Sequence, residues 1–425
     1  MFRRCLGACI AFGLCCGVLS CTFFLWRSVA RNIAPAALWL VLAGCTALAM
    51  FVYRKLPLER TRPPIRSRRI LSIAFLLVCC YAAWLFFIRS WNYPQGAWDA
   101  WAIWNLHARF LFRGGYQWFQ MFSPPLYWTH PDYPLLLPSL IAVGWTLVGK
   151  ETILIPVMVS FVFTFATVGL LTSSVSYLWN DRRGIAAGLL LLATPDFFLN
   201  GSSQLADVPL GFFILLTTVL LYLYDEQDSN TMLLLLAGTS AALAAWTKNE
   251  GLLFVLAAIV VRLLVSAGPK LVSVIPRELC TFACGLLPIL TLTLAFKFWL
   301  APPNDIFSFV GLGERLKDSG RYAQIGRHFL KEMAVFGAPR LSPFCGLIAY
   351  LVYAPAGKRN STSFPQSGFP LLAVMLAGYF FVYVISVQNL QWQLTSSFSR
   401  LIVQLWPTFL FCAACADIRR SRHSG

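Results

Sequence analysis

WNYPQGAWDAWAIWNLHARFLFRGGYQWFQMFSPPLYWTHPDYPLLLP, residues 91–138, is the longest interval in the front half of the chain that is neither an apolar span nor a basic loop. Its tryptophans and tyrosines are dense enough to place it at a membrane–water interface, where amphipathic rings are most stable. Among those rings sit Asp99, His107, Arg109, Arg113, His130 and Asp132. Ionisable groups beside hydrocarbon are costly unless something uses them. The stretch therefore reads as the floor of an active site, and the surrounding helices as its support.

The composition sets the environment. Of 425 residues 58% are hydrophobic and 12% charged, and the mean hydropathy is +0.68. A soluble fold this apolar could not cover its own surface, so the chain is expected to be an all-α polytopic membrane protein. The net charge of +17 falls mostly in short loops between apolar runs. That pattern orients a protein in a membrane and argues against nucleic acid as a partner. The 13 cysteines lie almost wholly within apolar runs. Cys280/Cys284 and Cys412/Cys415 have ligand-like spacing, but no histidine or carboxylate in those runs completes a metal set, and inert thiols are expected.

Outward from the opening stretch, the chain divides into two N-terminal spans and a basic loop (1–69), a body (70–416) and a basic tail (417–425). Spans are expected at 5–26, 33–53 and 70–89, and the loop from Arg54 to Arg69, the most basic in the chain, is assigned to the cytoplasm. The run 135–149 is short against the ~20 residues a span needs. If it crossed, the basic segments 181–183, 268–277, 358–359 and 419–422 would lie outside; if it only dips, they all lie inside. The charge bias selects the dip, and Pro134 and Pro138 suit a re-entrant or surface helix. Later spans follow at 152–178, 185–199, 207–224, 231–247, 251–266, 279–300, 341–356, 369–387 and 399–416. The expectation is about twelve transmembrane helices, external juxtamembrane helices after the third span, and both termini in the cytoplasm of a bacterial inner membrane. The external loop 301–340 is itself basic (Arg315, Lys317, Arg321, Arg327, Lys331, Arg340). That exception to the orientation rule points to an anionic ligand, with Arg321, Arg327 and His328 the candidates.

The polar residues on this face each admit two readings. Asp99 could cap a helix beginning near Ala100, or act as a general base held at the membrane surface. Asp132, between His130 and Pro134, could form a turn or line a pocket, and His130 could bind a phosphate or metal. Asp207, before Pro209, has the sequence of a helix cap. Lys248 and Glu250 could be a salt-bridged hairpin turn, and Arg400 could snorkel to the interface. No nucleotide-binding loop or soluble domain is present in the sequence. A group donor for an external site would therefore arrive within the membrane, linked to a lipid.

Several of these segments, taken in order, resemble a known family. They are the aromatic stretch with Asp99, His130-Pro-Asp-Tyr-Pro-Leu-Leu136, Ala206-Asp-Val-Pro-Leu-Gly-Phe-Phe213, Ala245-Trp-Thr-Lys-Asn-Glu-Gly251, and Arg400 with Pro407. The chain over about 70–416 is similar to the C-type (GT-C fold) membrane glycosyltransferases, in the glycosyltransferase family 39-like branch of protein O-mannosyltransferases and the lipid A aminoarabinose transferase. The resemblance implies a polyprenyl-phosphate sugar donor and a lipid, glycan or protein acceptor at the external (periplasmic) face. It matches Asp99 to the base and His130 and Asp132 to the donor and acceptor pocket. It matches Asp207 to a second aspartate, Lys248 to the lysine of the short hairpin, and Arg400 to the arginine opening the last span; Glu250 belongs to that hairpin. Ala100 stands where many relatives have a second acid, and the large soluble C-terminal domain of several relatives is lacking. A divalent cation is the one cofactor left open. The competing classes are a transporter or flippase of a lipid-linked substrate, with polar groups near the midplane, and a non-catalytic assembly protein. Helices 5–26 and 33–53 lie outside the resemblance.

Overall fold

The computed structural model describes residues 2–30, 34–58, 69–226, 230–266, 271–336 and 368–416. Helices succeed one another throughout, and a single isolated bridge, Phe307 to Ser386, is the only extended pairing among the described residues. Three long helices come first, α1 (Phe2–Val29), α2 (Pro35–Lys55) and α3 (Arg69–Asn92). A π turn (Ala100–Trp104), α4 (Asn105–Arg113) and two 3-10 helices (Gly115–Phe122, Pro124–Thr129) form the juxtamembrane segment that the aromatic stretch predicts. Then come α5 (Leu136–Val148), α6 (Leu154–Leu178), α7 (Asp181–Leu192), α8 (Pro195–Ser202), α9 (Asp207–Glu226), α10 (Thr231–Thr247), α11 (Glu250–Ser266) and α12 (Leu271–Trp299). The chain continues with α13 (Leu312–Lys317), α14 (Ser319–Val335), α15 (Gly368–Ile385) and α16 (Leu390–Cys415).

The protein is an all-helical polytopic membrane protein. Among the described residues eight helices are long and apolar enough to cross a bilayer, or nine if α7 and α8, bent by 65° to each other, make one span. The expected dozen differs from this count for identifiable reasons. Helices α10 and α11 are 17 residues each, about 25 Å at 1.5 Å per residue, and the expected span 341–356 lies outside the described residues.

Helix α5 has 13 residues, about 20 Å, too short for a hydrocarbon core of ~30 Å. Gly149, at φ +77°, closes it in the left-handed conformation that ends many helices. Glu151 then pairs with both Arg109 and Arg113 of α4. Both ends of α5 are thus tied to the juxtamembrane segment, and α6 starts from the end of the bundle where α5 started.

Packing centres on α9, whose apolar window is wholly buried, and on α16 and α1. Lipid supplies no hydrophobic drive between helices, so close van der Waals approach and polar contacts hold them. Gly238 of α10 and Gly285 of α12 provide the approach: a Cβ at either would come within 2.1 Å or 1.9 Å of a facing carbonyl oxygen. Helix α1 supplies the polar contacts. Its Ser20 hydroxyl donates to the Leu136 carbonyl and accepts from the Trp246 indole. Its Arg27 guanidinium, buried at the helix end, donates to the Leu111 and Phe112 carbonyls of α4. Phe24, Trp118, Trp246 and Phe296 pack ring to ring beside it. Helix α1 is therefore built into the bundle, whereas α3, with 6% of its apolar window buried, lies at its edge.

Replacing Arg27 by Met keeps the length and leaves two helix-end carbonyls without their charged donor. Thermal unfolding of the purified Arg27→Met variant is expected to show a loss of about 1.5–3 kcal/mol, the worth of hydrogen bonds to a charged group.

Candidate active site

The loop after α3 is set by a backbone turn that only glycine fits. Gly96 has φ +72°, and a Cβ there would come within 2.5 Å of the Ser203 carbonyl oxygen. That carbonyl accepts from the Ala97 amide at 3.0 Å, which docks the loop on the end of α8. Asp99 follows immediately, at the start of the π turn. π turns often mark functional positions.

Asp99 makes no capping bond. Its Oδ2 accepts from Arg400 Nη2 of α16 at 2.6 Å. Arg400 Nε donates in turn to Asp207 Oδ2 at 3.0 Å. Asp207, fully buried, also accepts on Oδ1 from Lys248 Nζ at 2.9 Å and Gln404 Nε2 at 2.6 Å. The cap reading of Asp207 is thus replaced by a three-donor carboxylate buried among α9, α16 and the α10–α11 turn. Lys248 also pairs with Glu250 at 2.8 Å, and its side chain is only 5% exposed, so this turn is an interior one and not a solvated hairpin. The Tyr379 hydroxyl of α15 donates to Gln404 Oε1 at 2.6 Å and orients the Gln404 amide.

Asp132 anchors a second cluster. Its Oδ2 accepts from Asn249 and Asn304, each at 2.7 Å, and Lys297 Nζ lies 3.4 Å away while also donating to the Asp132 backbone carbonyl. Asn249 stands between Lys248 and Glu250, so the α10–α11 turn joins the two clusters. His130, in the left-handed region at φ 49°, pairs with Asp305 at 3.5 Å. Asp305 holds the His130 pKa above its ordinary value against the effect of burial, and His130 holds the Asp305 carboxyl below its own. Burial drives His107 the other way, to about 3; it stays neutral and bonds the Thr129 hydroxyl at 3.1 Å. The rings of Trp98, Trp101, Trp128 and His130 stand side by side at this mouth.

Seven of the residues singled out in the sequence (Asp99, His130, Asp132, Asp207, Lys248, Glu250 and Arg400) thus gather at one end of the bundle. Arg321, Arg327 and His328 of α14 do not join the network. Arg321 donates to the Tyr383 and Ser386 carbonyls at the end of α15, and Arg315 to the Ile385 carbonyl. Part of the basic charge in loop 301–340 therefore caps a helix C-terminus, where cations are favoured. Arg327 is exposed and, among the described residues, bonds only a carbonyl of its own helix, and the His328 ring meets Phe398 edge to face. The sequence reading missed Gln404, Tyr379, Lys297, Asn249 and Asn304. Gln404 was findable, since it lies one helical turn beyond Arg400 and shares its face. Lys297 was also findable, as a cation within an apolar run.

The first cluster sets three carboxylates (Asp99, Asp207, Glu250) against two cations (Lys248, Arg400). The surplus is negative. Among the described residues no three histidine, cysteine, aspartate or glutamate side chains gather to hold a metal ion.

Comparison with known proteins bears on the family. Residues 132–294 match the family model described as dolichyl-phosphate-mannose-protein mannosyltransferase. The resemblance to the C-type membrane glycosyltransferases is borne out. The match begins at Asp132 and takes in Asp207, Lys248 and Glu250; Asp99 and Arg400 fall outside it. Two solved structures are similar at 14% identity, both of ArnT from Cupriavidus metallidurans. The apo state has a TM-score of 0.48 over 81% of this chain, and the undecaprenyl phosphate complex 0.44 over 80%. The chain spans 58% and 59% of those structures. No curated protein matches the sequence.

Two measurements check this geometry. Asp207→Asn leaves Lys248 and Arg400 short of a buried partner, and unfolding should show a loss of about 3–5 kcal/mol, the cost of breaking a buried ion pair from one side. The His130–Asp305 tie should depend on pH. His130 has a raised pKa, so its contribution is complete below its ordinary value and is lost as pH rises through the raised one. Asp305 has a lowered pKa, so its contribution is lost only as acid reaches that lowered value. Amide exchange in residues 300–311, corrected for the intrinsic rate, should therefore accelerate on the alkaline side, and His130→Gln should remove that step.

Proposed function

We propose that this protein transfers a sugar from a polyprenyl-phosphate donor to an acceptor hydroxyl or amine, with Asp99 as general base. The reading rests chiefly on the contrast between its two aspartates. Asp207 takes three donors in full burial, which saturates and fixes it. Asp99 takes one donor, through one oxygen, and keeps 19% of its side chain exposed beside the aromatic mouth. A carboxylate with a spare oxygen at an open face can accept a proton. Arg400, clamped by Asp207, orients it.

In the proposed reaction the acceptor oxygen or nitrogen attacks the anomeric carbon and its proton passes to Asp99. The bond from that carbon to the phosphate oxygen breaks, and polyprenyl phosphate departs with the electron pair. One in-line displacement inverts the anomeric centre. Positive charge must meet the departing phosphate. Lys248 and Arg400 are already matched by carboxylates, and we assign that role to Arg327, exposed on α14 and in no ion pair with a described carboxylate. Asp132 with Lys297, Asn249 and Asn304 then fixes the floor of the pocket.

The same arrangement supports an orientation. The site end carries the C-terminal ends of α1, α3, α10 and α12, while Arg3, Arg4, Arg54, Arg69 and Arg277 lie at the opposite end. The positive-inside rule counts basic residues in short connections between spans, and by it the end with Arg54, 181–183 and Arg277 is assigned to the cytoplasm and the site to the outside. A bacterial inner membrane fits that placement, as does a donor that arrives within the bilayer. Clustering at one end, away from the midplane, favours this reading over a transporter.

The test is transfer of radiolabelled sugar from a panel of polyprenyl-phosphate donors. Asp99→Asn keeps the size of the side chain and should lower turnover on the order of 10²–10⁴-fold, the effect of losing a positioned base. Donor affinity should change little in that variant and should weaken in Arg327→Ala. Wild-type turnover by folded Asp99→Asn would overturn the assignment of the base.

A further inference from the structure

Helices α1 and α2 flank a groove at the end of the bundle opposite the site. The groove has a volume of about 1060 Å³ and is lined by Cys5, Ala8, Ala11, Phe12, Cys15 and Met50 among others. At its mouth a second hollow of about 320 Å³ is lined by Arg3, Arg4, Arg54, Gly7, Tyr53 and two leucines. Arg4 and Tyr53 line both, so the two adjoin. Gly7 lets the Tyr53 ring lie directly against α1 between them: a Cβ there would come within 2.9 Å of the ring. Among the described residues no carboxylate lines either hollow. Three guanidinium groups therefore share one small opening without a counter-charge from the described chain, and arginine does not shed its proton.

We propose that this is a binding site for an anionic phospholipid, with its phosphate among Arg3, Arg4 and Arg54 and one acyl chain along the α1–α2 groove. Length fits the occupant. From Arg4 to Cys15 the helix rises about 16 Å, close to half of a hydrocarbon core of ~30 Å. The groove thus runs from headgroup level to mid-bilayer, the depth of one leaflet. Charge fits as well, because arginine forks match phosphate oxygens in paired hydrogen bonds. A protein partner is disfavoured, because the groove opens along α2, most of whose surface is apolar and exposed (Trp39, Leu40, Leu48, Met50 and Phe51). Such a surface lies among acyl chains in a bilayer. The lipid would fill the gap beside α1, the helix whose other end holds α4 beneath the active site.

The experiment is native mass spectrometry of the full chain in detergent, titrated separately with dioleoyl phosphatidylglycerol, dioleoyl phosphatidylcholine and undecaprenyl phosphate. Phosphatidylglycerol should bind at least about tenfold more tightly than phosphatidylcholine, as expected for several arginines beside one anionic headgroup. The triple variant Arg3→Gln, Arg4→Gln, Arg54→Gln should lose that preference. Lys55→Gln, exposed but outside the hollow, should keep it. These arginines are solvent-facing, and a thermal unfolding curve matching the wild type confirms that the triple variant is folded. Equal binding of the two phospholipids, or an unchanged preference in the triple variant, would overturn the site. A triple variant that loses only undecaprenyl phosphate binding would overturn the choice of occupant. None of these outcomes depends on sugar transfer, so the site stands or falls apart from the proposed activity.

Discussion

Burial of the Asp207 carboxylate inside an apolar bundle is the constraint on which the rest of the structure depends. An ionised carboxylate out of water is tolerable only when paired and hydrogen-bonded to completion. Here the completion comes from three donors on two elements, the α10–α11 turn through Lys248 and α16 through both Arg400 and Gln404. Each donor needs support of its own. Lys248 is held by Glu250, Gln404 by Tyr379 of α15, and the second arm of Arg400 by Asp99. One buried charge thus fixes the mutual position of α9, α11, α15, α16 and the loop after α3.

The same economy explains why the two aspartates differ. A carboxylate that closes a network gains rigidity and loses freedom to react. Asp99 sits at the end of the chain of ion pairs and carries what the interior cannot use, an open oxygen on a side chain whose orientation is fixed from behind. The aromatic mouth lets this happen at the membrane surface, where tryptophan rings cover apolar ground without closing it to polar groups.

Much of this was legible in the sequence, because membrane proteins advertise themselves through length, hydropathy and charge. The brevity of residues 135–149 foretold a helix shorter than a full span, and Glu151 beyond its end pairs with α4. The ionisable residues of the aromatic stretch and of the α9 and α10–α11 segments were visible because hydrocarbon rarely tolerates them. Their pairing was not visible. Asp207 before a proline has the local signature of a cap, and only the arrival of α16 from 193 residues away shows another use. The arginines of α13 and α14 were read as awaiting an anion, yet two of them serve the open carbonyls at the end of α15. That demand belongs to a helix end distant in sequence, and local reading cannot reveal it.

The separation between Asp207 and Arg400 also imposes a timetable on biogenesis. With 193 residues between them, a ribosome adding 5–20 residues per second needs about 10–40 s to supply the arginine after the aspartate. Through that interval Asp207 shares Lys248 with Glu250, and Asp99 has yet to meet its partner, so the cluster holds an excess of negative charge. Arg400 then enters with its charge already matched by Asp99, which was made long before. The last helix therefore brings the second cation to a site already rich in carboxylates, and its docking is the step that brings the buried charges close to balance.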